Sequence, residues 1–112
     1  MTDKPHINVT EIYEGWILGN IYYANKKYVF NIKRFEEGSK YGINGGCISK
    51  LFIWDNQSAT YLVSYERGWV RKPQNETMKK VYMTLVRKFN RGLPPEYVSA
   101  YWSHGTTRFK TR

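Results

Sequence analysis

Aromatic rings and cations alternate through Tyr65-Glu66-Arg67-Gly68-Trp69-Val70-Arg71-Lys72. Such rings stack on nucleobases, at about 1–3 kcal/mol per base, and the cations pair with phosphates, so the segment has the composition of a single-strand binding surface. The same residues could instead close a core, with Trp69 as a lid and Arg67 stacked on it. A second cationic set follows, in which Lys80, Arg87 and Arg91 fall near i, i+7 and i+11 of a helix, flanked by Lys79 and Lys88. A ridge of that spacing either contacts phosphates, releasing counterions, or is a solvated helix face. The third candidate is Glu36–Gly46, which holds four of the nine glycines. Amides freed there, with Ser39, Lys40 and Tyr41, could cradle an anion. The Walker spacing is absent and the loop leads into a strand, so the alternative is a hairpin connection whose glycines answer steric demands.

Catalytic chemistry has few carriers. Glu36 and Glu37 are adjacent, Cys47 falls at a predicted strand with no His beside it, and His6 and His104 lie near opposite ends. No catalytic residue is assigned. A single cysteine forms no internal disulfide, and with two histidines it makes no closed zinc site, so no metal and no cofactor are expected.

The elements that must position these groups follow from composition and period. With 112 residues, 41% hydrophobic and 17% aromatic, the chain reads as one folded domain spanning 1–112, with loose ends at about 1–10 and 103–112. No apolar run reaches the roughly 20 residues of a membrane span and no signal peptide is evident, which places the expectation in the cytoplasm. The formal charge is +9, and residues 57–112 carry 11 basic against 3 acidic groups. Such asymmetry points to a polyanionic partner. Strands are predicted at Trp16–Tyr23, bulged at Gly19-Asn20, at Tyr28–Phe35, where Tyr28, Phe30 and Ile32 alternate with Val29, Asn31 and Lys33, at Cys47–Trp54 and at Thr60–Tyr65. Asn75 caps a predicted helix to Asn90, with Met78, Val81, Tyr82, Leu85, Val86 and Phe89 on one stripe. A short second helix is predicted over Glu96–Trp102. The expected fold class is α+β: a four-stranded antiparallel sheet with one C-terminal amphipathic helix packed on it, in the order ββββα.

The run GSKYGINGGCISKL, Gly38 to Leu51, followed by YERGW, Tyr65 to Trp69, resembles a family of short uncharacterised proteins of phages and mobile elements of Gram-positive bacteria. The likeness covers about residues 15–70, and Cys47 stands where the family pattern has Arg. It implies a bacterial host cell and a small accessory protein that works by binding, such as an inhibitor of a defence system of the CRISPR type. The leading expectation is therefore a non-enzymatic protein whose basic surface engages nucleic acid or a nucleic-acid-bearing complex. Two alternatives stand beside it: a protein-interaction inhibitor without nucleic-acid contact, and a nucleotide binder using the Gly38–Gly46 loop.

Overall fold

Tight turns set the architecture of the protein, seen here in a computed structural model that describes residues 4–58, 60–98 and 105–109. Glu14-Gly15 and Ala24-Asn25 take positive φ at both positions, 47° and 84° in the first pair and 51° and 64° in the second. That is the backbone of the two-residue hairpin whose twist matches that of its strands. These turns join β1 (His6–Tyr13), β2 (Trp16–Tyr23) and β3 (Lys26–Arg34). The meander continues through β4 (Ile48–Asp55), β5 (Tyr61–Glu66) and β6 (Trp69–Arg71). Then comes α1 (Glu76–Phe89), and β7 (Thr107–Arg108) returns to the free edge of β1. The strand order is β6-β5-β4-β3-β2-β1-β7, antiparallel throughout.

The sheet thus has seven strands rather than the expected four. The four predicted strands are its central members, β2 to β5. β1 escaped the pattern because a bulge between Val9 and Glu11 shifts its register. Val9 and Ile12 both reach the core, and an odd spacing between buried positions breaks the period of two. β6 and β7, at three and two residues, are too short to carry a period at all. Residues 6–10, expected to be loose, form half of β1, and Thr107 and Arg108 of the expected tail are paired as well. The remainder of the expected loose tail, 103–104 and 110–112, lies outside the described residues except for 105, 106 and 109.

One further expectation changes. β2 pairs with β3 without a break, so Gly19 is no bulge. A Cβ there would lie 2.3 Å from the Asn8 carbonyl oxygen and 2.9 Å from the Phe30 ring, so glycine is required by close approach of β1. The second helix predicted over Glu96–Trp102 opens on a 3-10 turn, Pro95–Tyr97, with Val98 helical after it, and residues 99–102 lie outside the described part.

One face of the sheet makes the core. Ile17, Ile21, Phe30, Ile32, Leu51, Ile53 and Val63 are fully buried there, and all six stripe residues of α1 are buried against them. The Asn75 side chain accepts a hydrogen bond from the Met78 amide at 2.9 Å, which caps the helix where the sequence placed it. Truncating the centre of the stripe, Leu85→Ala, is expected to cost about 2–5 kcal/mol, measured by denaturant unfolding. Burial raises the Tyr28 and Tyr82 hydroxyls above their ordinary value of 10.0. Their contribution to stability is therefore complete below that value and is lost as pH climbs through the raised ones, so unfolding at fixed denaturant should advance above about pH 10. Absorbance titration of tyrosinate alongside circular dichroism checks this.

Candidate nucleic-acid interface

The loop after β3 is held from beneath by the end of α1. Asn90, the C-cap, is buried; its amide nitrogen donates to the Ile43 carbonyl at 2.8 Å and its side-chain oxygen accepts from the Ile48 amide at 3.1 Å. The Cys47 amide donates to the Asn90 carbonyl at 2.7 Å. Gly46 sits against this carboxamide, where a Cβ would come within 2.3 Å of it, so no other residue fits. Arg34, at 3% exposure, donates to the carbonyls of Phe89 at 3.0 Å and Arg91 at 3.1 Å. From β5, the Tyr65 hydroxyl donates to the Tyr41 carbonyl at 2.8 Å. The Cys47 thiol is buried and donates to the Arg91 carbonyl at 3.1 Å, the geometry of a packed group.

The loop so fixed walls one end of the face that carries no helix. Cross-strand pairing lines up Trp16, Lys33, Lys50 and Glu66 in one row on β2 to β5. With Phe35, Ser39, Tyr41, Ser49 and Arg67, the first three of these enclose a cavity of about 510 Å³. Lys33 Nζ stands 5.7 Å from the Trp16 ring centroid and 5.9 Å from that of Phe35, and the Arg67 guanidinium lies 4.1 Å from the Tyr41 centroid. Ser49 is the extra residue of a bulge opposite Lys33/Arg34, which turns it toward this cavity. Arg67 holds φ 59°, a left-handed backbone rare for arginine, fixed by its amide donating to the Ser49 carbonyl at 2.8 Å.

At the other end of the strands, about 20 Å away for six residues of β2, cations gather again. Lys80, Arg87 and Lys88 of α1 face Lys4 and His6 across a groove of about 590 Å³. Lys4 and His6 also border a second groove with Lys26, Lys27, Tyr22 and Tyr23, while Lys80 and Arg87 border a third with Lys79 and Glu76. Shared walls make these one track, from the β2–β3 turn to the outer face of the helix.

The predicted residues therefore separate. Lys79, Lys80, Arg87 and Lys88 lie on the track, with Lys79 in an exposed pair with Glu76 at 3.4 Å and Lys88 near Glu96 at 4.0 Å. Exposed pairs of this kind leave the cations available to a stronger anion. Ser39, Tyr41 and Arg67 meet in the cavity, and Lys40 lies beside it, 5.1 Å from the Tyr41 centroid. Trp69 borders neither: 38% exposed on β6, it packs edge-on to Tyr65 at 5.1 Å and against Tyr82 at 5.3 Å. Its expected companion Arg67 turns the other way, onto Tyr41. Arg71, Lys72 and Arg91 are exposed but border none of these cavities. Lys4, Lys26 and Lys27 on the track, and Trp16, Lys33, Phe35 and Lys50 at the cavity, were missed; only the outward phase of Lys33 in its strand hinted at them. Among the described residues no group of His, Cys, Asp and Glu could hold a metal ion.

Residues 15–90 match the family described as a domain of unknown function, DUF7678. The chain belongs to this family. Its matched span runs from the β1–β2 turn to the C-cap of α1, so every residue walling the cavity is part of the DUF7678 region. Lys4 and His6 of the track, and β7, lie outside it. No curated protein and no solved structure matches the chain.

Because Asn90 joins helix, loop and strand, Asn90→Ala takes the acceptor from the Ile48 amide and one of two donors from the Ile43 carbonyl, which keeps the Gly46 amide. The expected cost is on the order of 1–3 kcal/mol, with a selective loss of hydrogen-exchange protection at Ile48, read by NMR.

Proposed function

We propose that this DUF7678 domain is a non-enzymatic binding protein that grips the phosphate backbone of a nucleic acid along its basic track. The observation that carries this reading is the continuity of the track: Lys26 and Lys27, Lys4 and His6, then Lys80, Arg87 and Lys88 border grooves that share walls. Glu76 is the one carboxylate lining those three grooves. Cations so arranged neutralise successive phosphates and gain from counterion release, without reading sequence. Six of these seven groups, all but Lys4, sit on strand or helix, which lowers the ordering cost of binding. The aromatic side chains of the helix-free face, among them Trp16, Phe52, Trp54 and Tyr22, lie between the two ends and suit a single strand better than a duplex. Competition for the guide RNA of a defence nuclease is one use such a surface offers, in keeping with the resemblance to phage and mobile-element proteins.

Anisotropy of labelled single-stranded DNA, duplex DNA and RNA tests the proposal. With five or six phosphate contacts, affinity should fall by roughly two to three orders of magnitude between about 50 and 200 mM salt. The triple change Lys80→Glu, Arg87→Glu, Lys88→Glu should abolish binding to every sequence while the circular dichroism spectrum stays unchanged. Binding that ignores salt, or that survives the triple change, would remove the track as the interface.

A further inference from the structure

We infer that the cavity between the glycine-rich loop and the helix-free face is a nucleotide site, separate from the basic track, which takes a planar base together with its phosphate. Two kinds of group that seldom occur together without a ligand are combined there. The first is exposed aromatic surface: Phe35 and Tyr41 are 55% and 41% exposed and stand at the rim, with Trp16 on the floor. The second is charge. Lys33, Lys50 and Arg67 line one cavity, no carboxylate lines it with them, and among the described residues none of the three has an ion pair. Like charges held this close repel, and a dianion placed among them removes that repulsion.

The parts are also held in place before any ligand arrives. Lys33 Nζ donates to the Glu14 carbonyl, the Arg67 guanidinium lies on Tyr41, and the Tyr41 backbone is tied down by the Tyr65 hydroxyl. Arg67 keeps a strained left-handed backbone although Gly68 stands next to it in the same turn. Strain of that kind persists where the surrounding structure fixes a side chain in position. The Ser39 hydroxyl, which accepts from the Tyr41 amide at 3.2 Å, keeps its proton for a phosphate oxygen or a sugar, while the Ser49 hydroxyl donates to the Lys33 carbonyl at 3.4 Å and offers the ligand a lone pair. A volume of about 510 Å³ is within the range of small-molecule sites, roughly 300–1,000 Å³. The base stacks on Trp16 or Phe35, and the phosphate lies between Lys33, Lys50 and Arg67.

The ligand has two sources, a free nucleotide or the 5′-phosphorylated end of a single strand. Two-dimensional NMR of the intact protein, titrated with the four nucleoside 5′-monophosphates, the matching nucleosides and inorganic phosphate, tests the site. Expected are shifts at Gly38–Tyr41, Ser49 and Arg67, with at least one monophosphate binding about tenfold or more tighter than either its nucleoside or phosphate alone. Lys50→Gln with Arg67→Gln should weaken it by about tenfold or more, and Lys80→Glu with Arg87→Glu should leave it unchanged. Both pairs are exposed or half-exposed, and the unliganded spectrum reports whether each variant keeps the fold. In the Lys80→Glu, Arg87→Glu variant, a 5′-phosphorylated tetranucleotide that binds tighter than both the monophosphate and its own unphosphorylated form identifies the strand end as the source; binding equal to or weaker than the monophosphate identifies the free nucleotide. Absence of shifts, shifts centred on the Lys4–Lys80 groove, or full binding by the double Gln variant would overturn the site. Since the track is tested by salt-dependent oligonucleotide binding and the cavity by mononucleotides, either can fail alone.

Discussion

A buried cation at the end of a helix holds this fold together. Arg34 has no more than a trace of exposed surface, and taking a guanidinium out of water is costly unless its donors are met. Here they meet the Phe89 carbonyl, which the helix leaves without a partner at the end where its dipole is negative, and the Arg91 carbonyl just past the C-cap. Two deficits, a desolvated charge and an orphan acceptor, cancel in one contact. Because Arg34 belongs to the central strand β3, the contact fixes where α1 stops over the sheet. Asn90 can then reach the loop and β4 together, and Cys47 and Gly46 fall into place beneath it.

The division of labour between the two faces follows from that clamp. Among the described residues α1 covers one face, and the alternation of each strand sends its other residues to a surface over which they place no helix. On β3 the odd positions, Lys27, Val29, Asn31 and Lys33, face outward, and on β4 Lys50, Phe52 and Trp54 stand opposite them. The amines therefore gather toward the ends of this surface, Lys33 beside Lys50 at one and Lys27 at the other, with Phe52 and Trp54 between them. The clamp raises the glycine-rich loop at one end of this surface, and the helix brings its cations to the other.

Much of the scaffold was legible in the sequence. The stripe of α1, its Asn75 cap and the four central strands have periods long enough to stand out, and all were placed within a residue or two. The three outer strands were not, because a bulge broke the period of β1 and the others have none. The helix cations were found for the same reason as the helix. The cavity was half found: Ser39, Tyr41 and Arg67 are conspicuous in sequence, but Trp16, Lys33 and Lys50 join them only through strand register, which no single strand encodes. Trp69 stood out by composition, but its contacts to Tyr65 and Tyr82 follow from the β5–β6 pairing and the helix, which composition does not carry.

The bulge in β1 does more than hide a strand. β7 pairs with Glu11 and Ile12, and the Phe109 amide reaches the Thr10 carbonyl at 2.8 Å, at the residue the bulge displaces. Each strand from β2 to β6 pairs only with strands next to it in sequence, so that part of the sheet can form turn by turn. β1 and β7 are the exception: they pair across almost a hundred residues, so β1 lacks its second neighbour until β7 has been made. Until then β1 presents an unpaired edge. The bulge that admits β7 also twists that edge, which makes it a poor template for another nascent chain on the same messenger.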